Sequence, residues 1–192
     1  MTTPTVPGAA AGIAAAVVDG ARRGDQEAFA QVIRHFDPGL RALAYRLLGD
    51  RDRMDDALQE AYVKAFRGLP RFRGDAKLST WLYRIVYNAC LDELERARRV
   101  VHLPLSEATE QPSGRPDPGD VVAGRGDLSR ALAELAPEDR AAVLLVDADG
   151  FSYDEAAAVL EIPAGTVASR LNRARARLRE ALGGAVEEAS AR

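Results

Sequence analysis

Apolar residues recur at every third or fourth position along most of this chain and nowhere alternate at period two for long. That spacing lines one face of an α-helix, whereas a half-buried strand needs strict alternation. The pattern predicts an all-α protein. The stripes also stop. From Val100 to Gly126 periodicity fails, and Pro104, Pro112, Pro116 and Pro118 alternate with Gly, Ser and acidic residues. Such a stretch buries too little apolar surface to offset the entropy of ordering it. It is expected as a flexible linker between two small helical domains, at 12–99 and 127–183, with the linker itself at 100–126.

In the first block, Phe29, Val32, Ile33 and Phe36 begin a helical stripe. Asp37-Pro38 is expected to reset the chain, with Pro38 as a first helical residue. Leu40, Leu43, Leu47 and Leu48 carry the stripe to Gly49, and Leu58, Ala61, Tyr62, Ala65, Phe66 and Leu69 form another that Pro70 stops. A further helix follows on Leu82, Ile85, Val86, Ala89 and Cys90, with Ser79 or Thr80 as its expected N-cap. In the second block, Leu128 to Leu135 makes a short helix and Pro137 opens another. Ser152-Tyr153-Asp154-Glu155 reads as a capping box for the helix Tyr153–Leu160. After the turn Glu161-Ile162-Pro163, a last helix runs to about Leu182. Two short helices joined tightly, the second longer and basic, form the helix-turn-helix pattern.

Lys+Arg 26 against Asp+Glu 29 gives net −3, which argues against a nucleic-acid binder only if charge is evenly spread. It is not. The last helix carries Arg170, Arg173, Arg175, Arg177 and Arg179 against Glu180 alone, while Asp154, Glu155 and Glu161 lie on the supporting helix and turn. In a helix-turn-helix the leading residues, here Gly165, Thr166 and Ser169, meet base edges and the arginines meet phosphates.

A second candidate surface is the loop Phe72 to Trp81, which mixes basic, hydroxyl and aromatic residues as single-stranded nucleic acid requires. Asn88 follows as a base reader with an amide donor and acceptor. Phe72 and Trp81 also read simply as core anchors. A third is the acidic face Asp56, Gln59 and Glu60, better suited to docking a protein than to catalysis, since no His, Ser or ligand set accompanies it.

No catalytic constellation, metal cluster or cofactor motif is found, and no apolar run reaches a membrane span. Cys90 is the single cysteine and sits on an apolar stripe, so it reads as a buried hydrophobe. The segment Met1–Ala16 lacks a leading basic residue and makes a poor signal peptide. A cytoplasmic protein is expected.

Together these residues resemble the extracytoplasmic-function sigma factors, the small two-domain sigma subunits of bacterial RNA polymerase. The carriers are Gly24-Asp25 with Glu27-Ala28-Phe29, Asp56-Ala57-Leu58-Gln59-Glu60-Ala61, Phe72-Arg73-Gly74-Asp75, Thr80-Trp81-Leu82-Tyr83-Arg84-Ile85 with Asn88, and Gly165-Thr166-Val167 with Ser169-Arg170 and Arg173-Ala174-Arg175. The resemblance implies a sigma-2 domain followed by a sigma-4 domain. It implies that Asp56, Gln59 and Glu60 dock on the β′ clamp helices of core RNA polymerase, with the β flap as a further contact. Lys77, Ser79, Thr80, Trp81, Arg84 and Asn88 would capture the melted −10 element, with Arg96, Arg98 and Arg99 on flanking phosphates. Gly165, Thr166, Ser169, Arg170, Arg173 and Arg175 would read the −35 duplex. Promoter DNA and an anti-sigma factor are the other implied partners.

Three positions depart from the family pattern: Ala168 where a basic residue is common, Glu161 in place of a glycine in the turn, and Arg53 where an acidic residue is frequent. A stand-alone helix-turn-helix regulator would explain the second block only, and an all-α enzyme would explain neither.

Overall fold

The computed structural model describes residues 13–101 and 125–190, with side chains described over 13–99 and 126–183. Most of the expected linker, at 102–124, and the first twelve residues lie outside that range. Within it, every regular element is helical. The first domain holds α1 (Ala15–Arg22), α2 (Gln26–Leu48), α3 (Arg51–Gly68), a 3-10 turn (Leu69–Arg71) and α4 (Leu78–Val101). The second holds α5 (Arg125–Glu134), α6 (Pro137–Val143), a π-helical turn (Leu144–Ala148), α7 (Tyr153–Leu160) and α8 (Ala164–Ser190).

In the first domain the helix ends follow local chemistry. Asp25 caps α2, its Oδ1 accepting from the backbone N–H of Glu27 at 2.9 Å and of Ala28 at 3.1 Å. Gly49 closes the same helix in the left-handed conformation, at φ 69°. Asp50 Oδ1 then caps α3 by accepting from Arg53 N–H at 2.9 Å. Leu40, Leu43, Leu47, Leu58, Leu69 and Leu82 are among the most completely buried side chains, and they join α2, α3 and α4 into one core. Phe29 and Phe66 add an edge-to-face ring pair at 5.1 Å.

Two expectations are corrected here. Pro38 does not reset the chain: α2 runs through it. Proline removes one helical donor, but Phe36 before it and Leu40 and Leu43 after it are buried in the same core, which holds both halves in register. Tyr62 Oη also donates to Asp37 Oδ1 at 2.7 Å, tying the helix to α3 beside the proline. Nor do Ser79 and Thr80 cap α4. The helix starts earlier, Trp81 N–H donating to Lys77 carbonyl oxygen at 3.1 Å, so both hydroxyl residues lie inside its first turn.

The second domain opens with three short helices, α5 to α7, before the 27-residue α8. The capping box of α7 is complete: Glu155 N–H donates to Ser152 Oγ at 3.2 Å, and Ser152 N–H donates to Glu155 Oε2 at 2.9 Å. Glu161 adopts φ 55°, ψ 41°, the left-handed conformation that favours glycine. For a non-glycine this conformation costs about 1 kcal/mol. Val167, Leu171 and Ala174 of α8 are buried, as their spacing predicts.

The two domains touch. Tyr83 on α4 and Phe151, just before α7, are 5% and 4% exposed, with ring centroids 4.7 Å apart. Gly39 on α2 makes room for the Tyr83 hydroxyl, because a Cβ there would overlap it. The Arg140 guanidinium is 8% exposed and joins two helix ends. It donates to the carbonyls of Arg46 (3.2 Å) and Leu47 (3.0 Å) at the end of α2, and to those of Ala133 (2.6 Å) and Leu135 (3.0 Å) around the end of α5. Helix C-termini leave carbonyls without intrahelical donors and carry partial negative charge. One buried cation thus satisfies both ends.

Candidate nucleic-acid interface

The acidic face of α3 forms because Ala57, Leu58 and Ala61 turn inward, leaving Asp56 and Gln59 exposed. Glu60 behaves differently from these neighbours. It is half-buried and takes Lys64 at 3.0 Å and Arg96 at 2.9 Å, and those two hydrogen-bonded cations hold its carboxyl below the usual carboxylate range. Arg53 leaves this face, donating from Nε to Glu93 Oε1 at 3.2 Å on α4. Arg96 also pairs with Glu93, and Arg99 pairs with Glu95 at 3.0 Å.

The expected single-strand surface is the first half of α4 and the loop before it. Phe72 and Trp81 pack together at 5.3 Å and lie partly buried against the core, as the anchor reading expects. Ser79 and Thr80 are 3% and 4% exposed, and Thr80 Oγ1 is buried with no hydrogen-bond partner. Lys77 is exposed and its Nζ lies 2.7 Å from Glu155 Oε1 of α7. Arg84 Nη1 lies 3.7 Å from Glu161 Oε1, and Asn88 Nδ2 donates to Glu161 Oε2 at 3.5 Å. Lys77, Arg84 and Asn88 therefore face the second domain. Sequence spacing could not find these partners, since Asn88 and Glu161 are 73 residues apart.

On α8, Gly165 and Ser169 are exposed and Thr166 is half-buried at the leading turn. Ser169 Oγ donates back to the Gly165 carbonyl at 3.0 Å. The arginines divide into two kinds. Arg170 interacts with Tyr87 of α4, whose phenol is nonetheless pushed up by burial. Arg173 makes a two-point contact with Asp139 of α6 (2.9 and 3.4 Å), and Arg175 a two-point contact with Asp147 of the π turn (3.0 Å from Nε). Hydrogen bonding to those carboxylates raises both guanidinium pKa values. The Asp139 side chain is only 8% exposed, so Arg173 ties α8 to α6 as well as facing outward. Neither aspartate was singled out from sequence, because nothing local marks a partner on another helix.

Cys90 is fully buried, and burial pushes its thiol up to about 12, so it is not a reactive thiolate at neutral pH. Among the described residues, no group of three or more His, Cys, Asp or Glu is placed to hold a metal ion. Among the same residues, no helix is long and apolar enough to cross a membrane.

Comparison with known proteins agrees with this two-part layout. Residues 26–100 match the Sigma-70 region 2 family and residues 125–178 match Sigma-70, region 4. The chain is 42% identical over 160 residues to the ECF RNA polymerase sigma factor SigM of Mycobacterium tuberculosis, covering 83% of this chain and 80% of that protein. It is 34% identical over 170 residues to the ECF RNA polymerase sigma-E factor of Escherichia coli K12, covering 83% and 88%. Among solved structures, it resembles the sigma factor RpoE in complex with the anti-sigma factor NepR from Bartonella quintana. The TM-score is 0.66 at 30% identity, over 81% of this chain and 96% of that one. CnrH in complex with the cytosolic domain of CnrY is similar at TM-score 0.66 and 26% identity, covering 88% and 96%. A helix-turn-helix following a separate helical domain with its own acidic face and α4 surface is thus the layout of a known class: the chain belongs to the extracytoplasmic-function sigma factors of the sigma-70 family, non-enzymatic proteins that direct transcription initiation.

Proposed function

We propose that this sigma factor divides promoter reading between its domains as the family resemblance implies. Asp56, Gln59 and Glu60 dock the first domain, 12–99, on the β′ clamp helices of core RNA polymerase, and the β flap receives the second, 127–183. Lys77, Ser79, Thr80, Trp81, Arg84 and Asn88 capture the melted −10 strand. Gly165, Thr166, Ser169, Arg170, Arg173 and Arg175 read the −35 duplex. The observation that carries the duplex assignment is the build of α8. Val167, Leu171 and Ala174 are buried while Gly165, Ser169 and Arg173 are exposed on the opposite side, so the leading turn is free to enter a groove.

The −10 assignment is supported by the crowding of cations and amide on one side of α4, where phosphates and unstacked bases are bound in such interfaces. RpoE and CnrH occur in complexes with NepR and CnrY, and we extend to this chain an anti-sigma partner of that kind.

Run-off transcription with core polymerase on a randomised promoter pool tests the assignment and returns both elements. Initiation from a defined subset of the pool is expected, and none with folded protein and competent core would overturn it. Arg170→Ala should weaken −35 binding and lower its salt slope by about one unit, the signature of a lost phosphate contact. Arg173→Ala should do the same and also destabilise the domain, because Asp139 is left buried without its cation.

A further inference from the structure

Two carboxylates, Asp139 of α6 and Asp147 of the π turn, each take an arginine of α8 at two points. They differ in burial. The Asp147–Arg175 pair is open to water on both sides, where an ion pair is screened and loosely held. Asp139 stands in the first turn of α6, where the helix dipole favours a carboxylate, and its side chain is only 8% exposed. A carboxylate so withdrawn from water needs both a cation and hydrogen bonds. Arg173 supplies them, from Nη2 at 2.9 Å and from Nε at 3.4 Å.

A guanidinium carries five N–H groups in a rigid planar fork. Asp139 takes one on Nε and one on Nη2, which fixes the plane of the fork and leaves the N–H groups of Nη1 to another acceptor. The Arg173 side chain stays 58% exposed. It follows the exposed Ser169 by about one helical turn and the exposed Gly165 by about two, on the face that is free to meet a duplex.

We infer that Asp139 is a positioning residue for promoter reading: it touches no DNA itself, and holds the Arg173 fork ready-oriented for a phosphate of the −35 element. This rests on the −35 assignment of Arg173 in the proposed function. An unheld arginine loses rotamer freedom when it meets a phosphate, whereas a held one has already lost it in folding. The charge of Asp139 opposes DNA, so its use lies in arranging the cation.

Charge and position give effects of opposite sign. Holoenzyme is assembled from core polymerase and the full chain, and binding is measured on a promoter recovered from the randomised pool. By charge alone, Asp139→Asn removes a negative group beside a polyanion and tightens binding. By positioning, it weakens binding about three- to tenfold, the equivalent of ordering one long side chain. Glu180→Gln, at an exposed position of α8, measures the charge effect by itself. In an Arg173→Ala background the weakening should vanish, because no fork is left to orient. Binding by Asp139→Asn as tight as by the wild type would overturn the inference and leave the −35 assignment standing. So would a loss more than half as large in the Arg173→Ala background, the mark of a purely structural role. Unchanged binding by Arg173→Ala itself sinks the −35 assignment of that arginine, and the inference with it. A side-chain NMR measurement on the free full chain requires no variant to fold. The Arg173 Nε–H should exchange with water more slowly, and its guanidinium rotate more slowly, than those of the exposed Arg177. Equal rates at the two arginines would also overturn the inference.

Discussion

The two domains reach helical structure by different routes. The first is built from long helices of 23, 18 and 24 residues, whose leucine stripes meet in one core. The second begins with helices of 10 and 7 residues and a supporting helix of 8, ahead of the 27-residue α8. In the first domain a local break signal, Pro38, is overridden by burial on both sides of it. In the second, local signals are obeyed: Pro137 opens α6, Ser152 and Glu155 box the start of α7, and Glu161 turns the chain even without glycine. Long stripes tolerate a local defect because tertiary packing supplies most of a helix's stability. The two-turn α7, with only Ala156, Val159 and Leu160 buried, draws less on packing and more on its capping box.

The largest expected effect comes where the two domains share one residue. Arg140→Met removes donors from four carbonyls at two helix ends, and should cost about 3 kcal/mol in denaturant unfolding. Arg140→Lys should recover less than half of that, since one ammonium cannot reproduce the planar fork. If both variants unfold like the wild type, the domains are independent and the contrast between them loses its meeting point.

Next is a test of packing in the first domain. Gly39→Ala places a methyl group on the Tyr83 hydroxyl and should destabilise by about 1–3 kcal/mol. Tyr83→Phe in the same background should restore part of it, as a thermal double-mutant cycle would read. In contrast, Pro38→Ala should be tolerated or mildly stabilising, because it returns a helical donor to α2.

A smaller loss is expected from the capping box. Ser152→Ala should cost about 1 kcal/mol, seen as faster amide exchange confined to α7. An equal loss spread over the first domain would contradict the local dependence argued above.

The smallest effect is in pH. Burial raises the Asp149 carboxyl to about 6, with the charge of Arg46 opposing the shift. A carboxyl whose folded pKa lies above its unfolded value of ~3.9 favours the folded state while protonated. That contribution is complete below about pH 4 and is lost as pH rises through 6. Asp149→Asn should flatten this slope and raise the Tm at pH 7.5 by about 2–4 °C. An unchanged slope would show that Asp149 is solvated in the folded protein.

Much of the fold was legible in the sequence because its determinants are local. The stripe Val167, Leu171 and Ala174 and the cap Ser152 each act within about one or two helical turns. Pro38 and Ser79 misled for the same reason. Both carry local signals for a helix boundary, and burial that periodicity does not report overrides them: buried Phe36 and Leu40 flank the exposed Pro38, and Ser79 is itself buried. Of the candidate site, the exposed leading turn of α8 and the exposure of Asp56 and Gln59 follow from the stripes opposite them. The state of Arg173 and Arg175 does not, since Asp139 and Asp147 come from other elements, and Glu60 is legible only in part, through Lys64 one turn on but not through Arg96 of α4.

The sequence by itself determined that the chain is helical, that it breaks into two blocks, and which residue types each block offers to a partner. Those properties depend on side-chain spacing and on caps, which interact over a few residues. Only the tertiary structure decided that Lys77, Arg84 and Asn88 face Glu155 and Glu161, and that Arg140 binds the end of a helix 94 residues earlier. Such contacts join charges and carbonyls that are far apart along the chain. Their pairing is set by how two cores stack, a choice that no local pattern encodes.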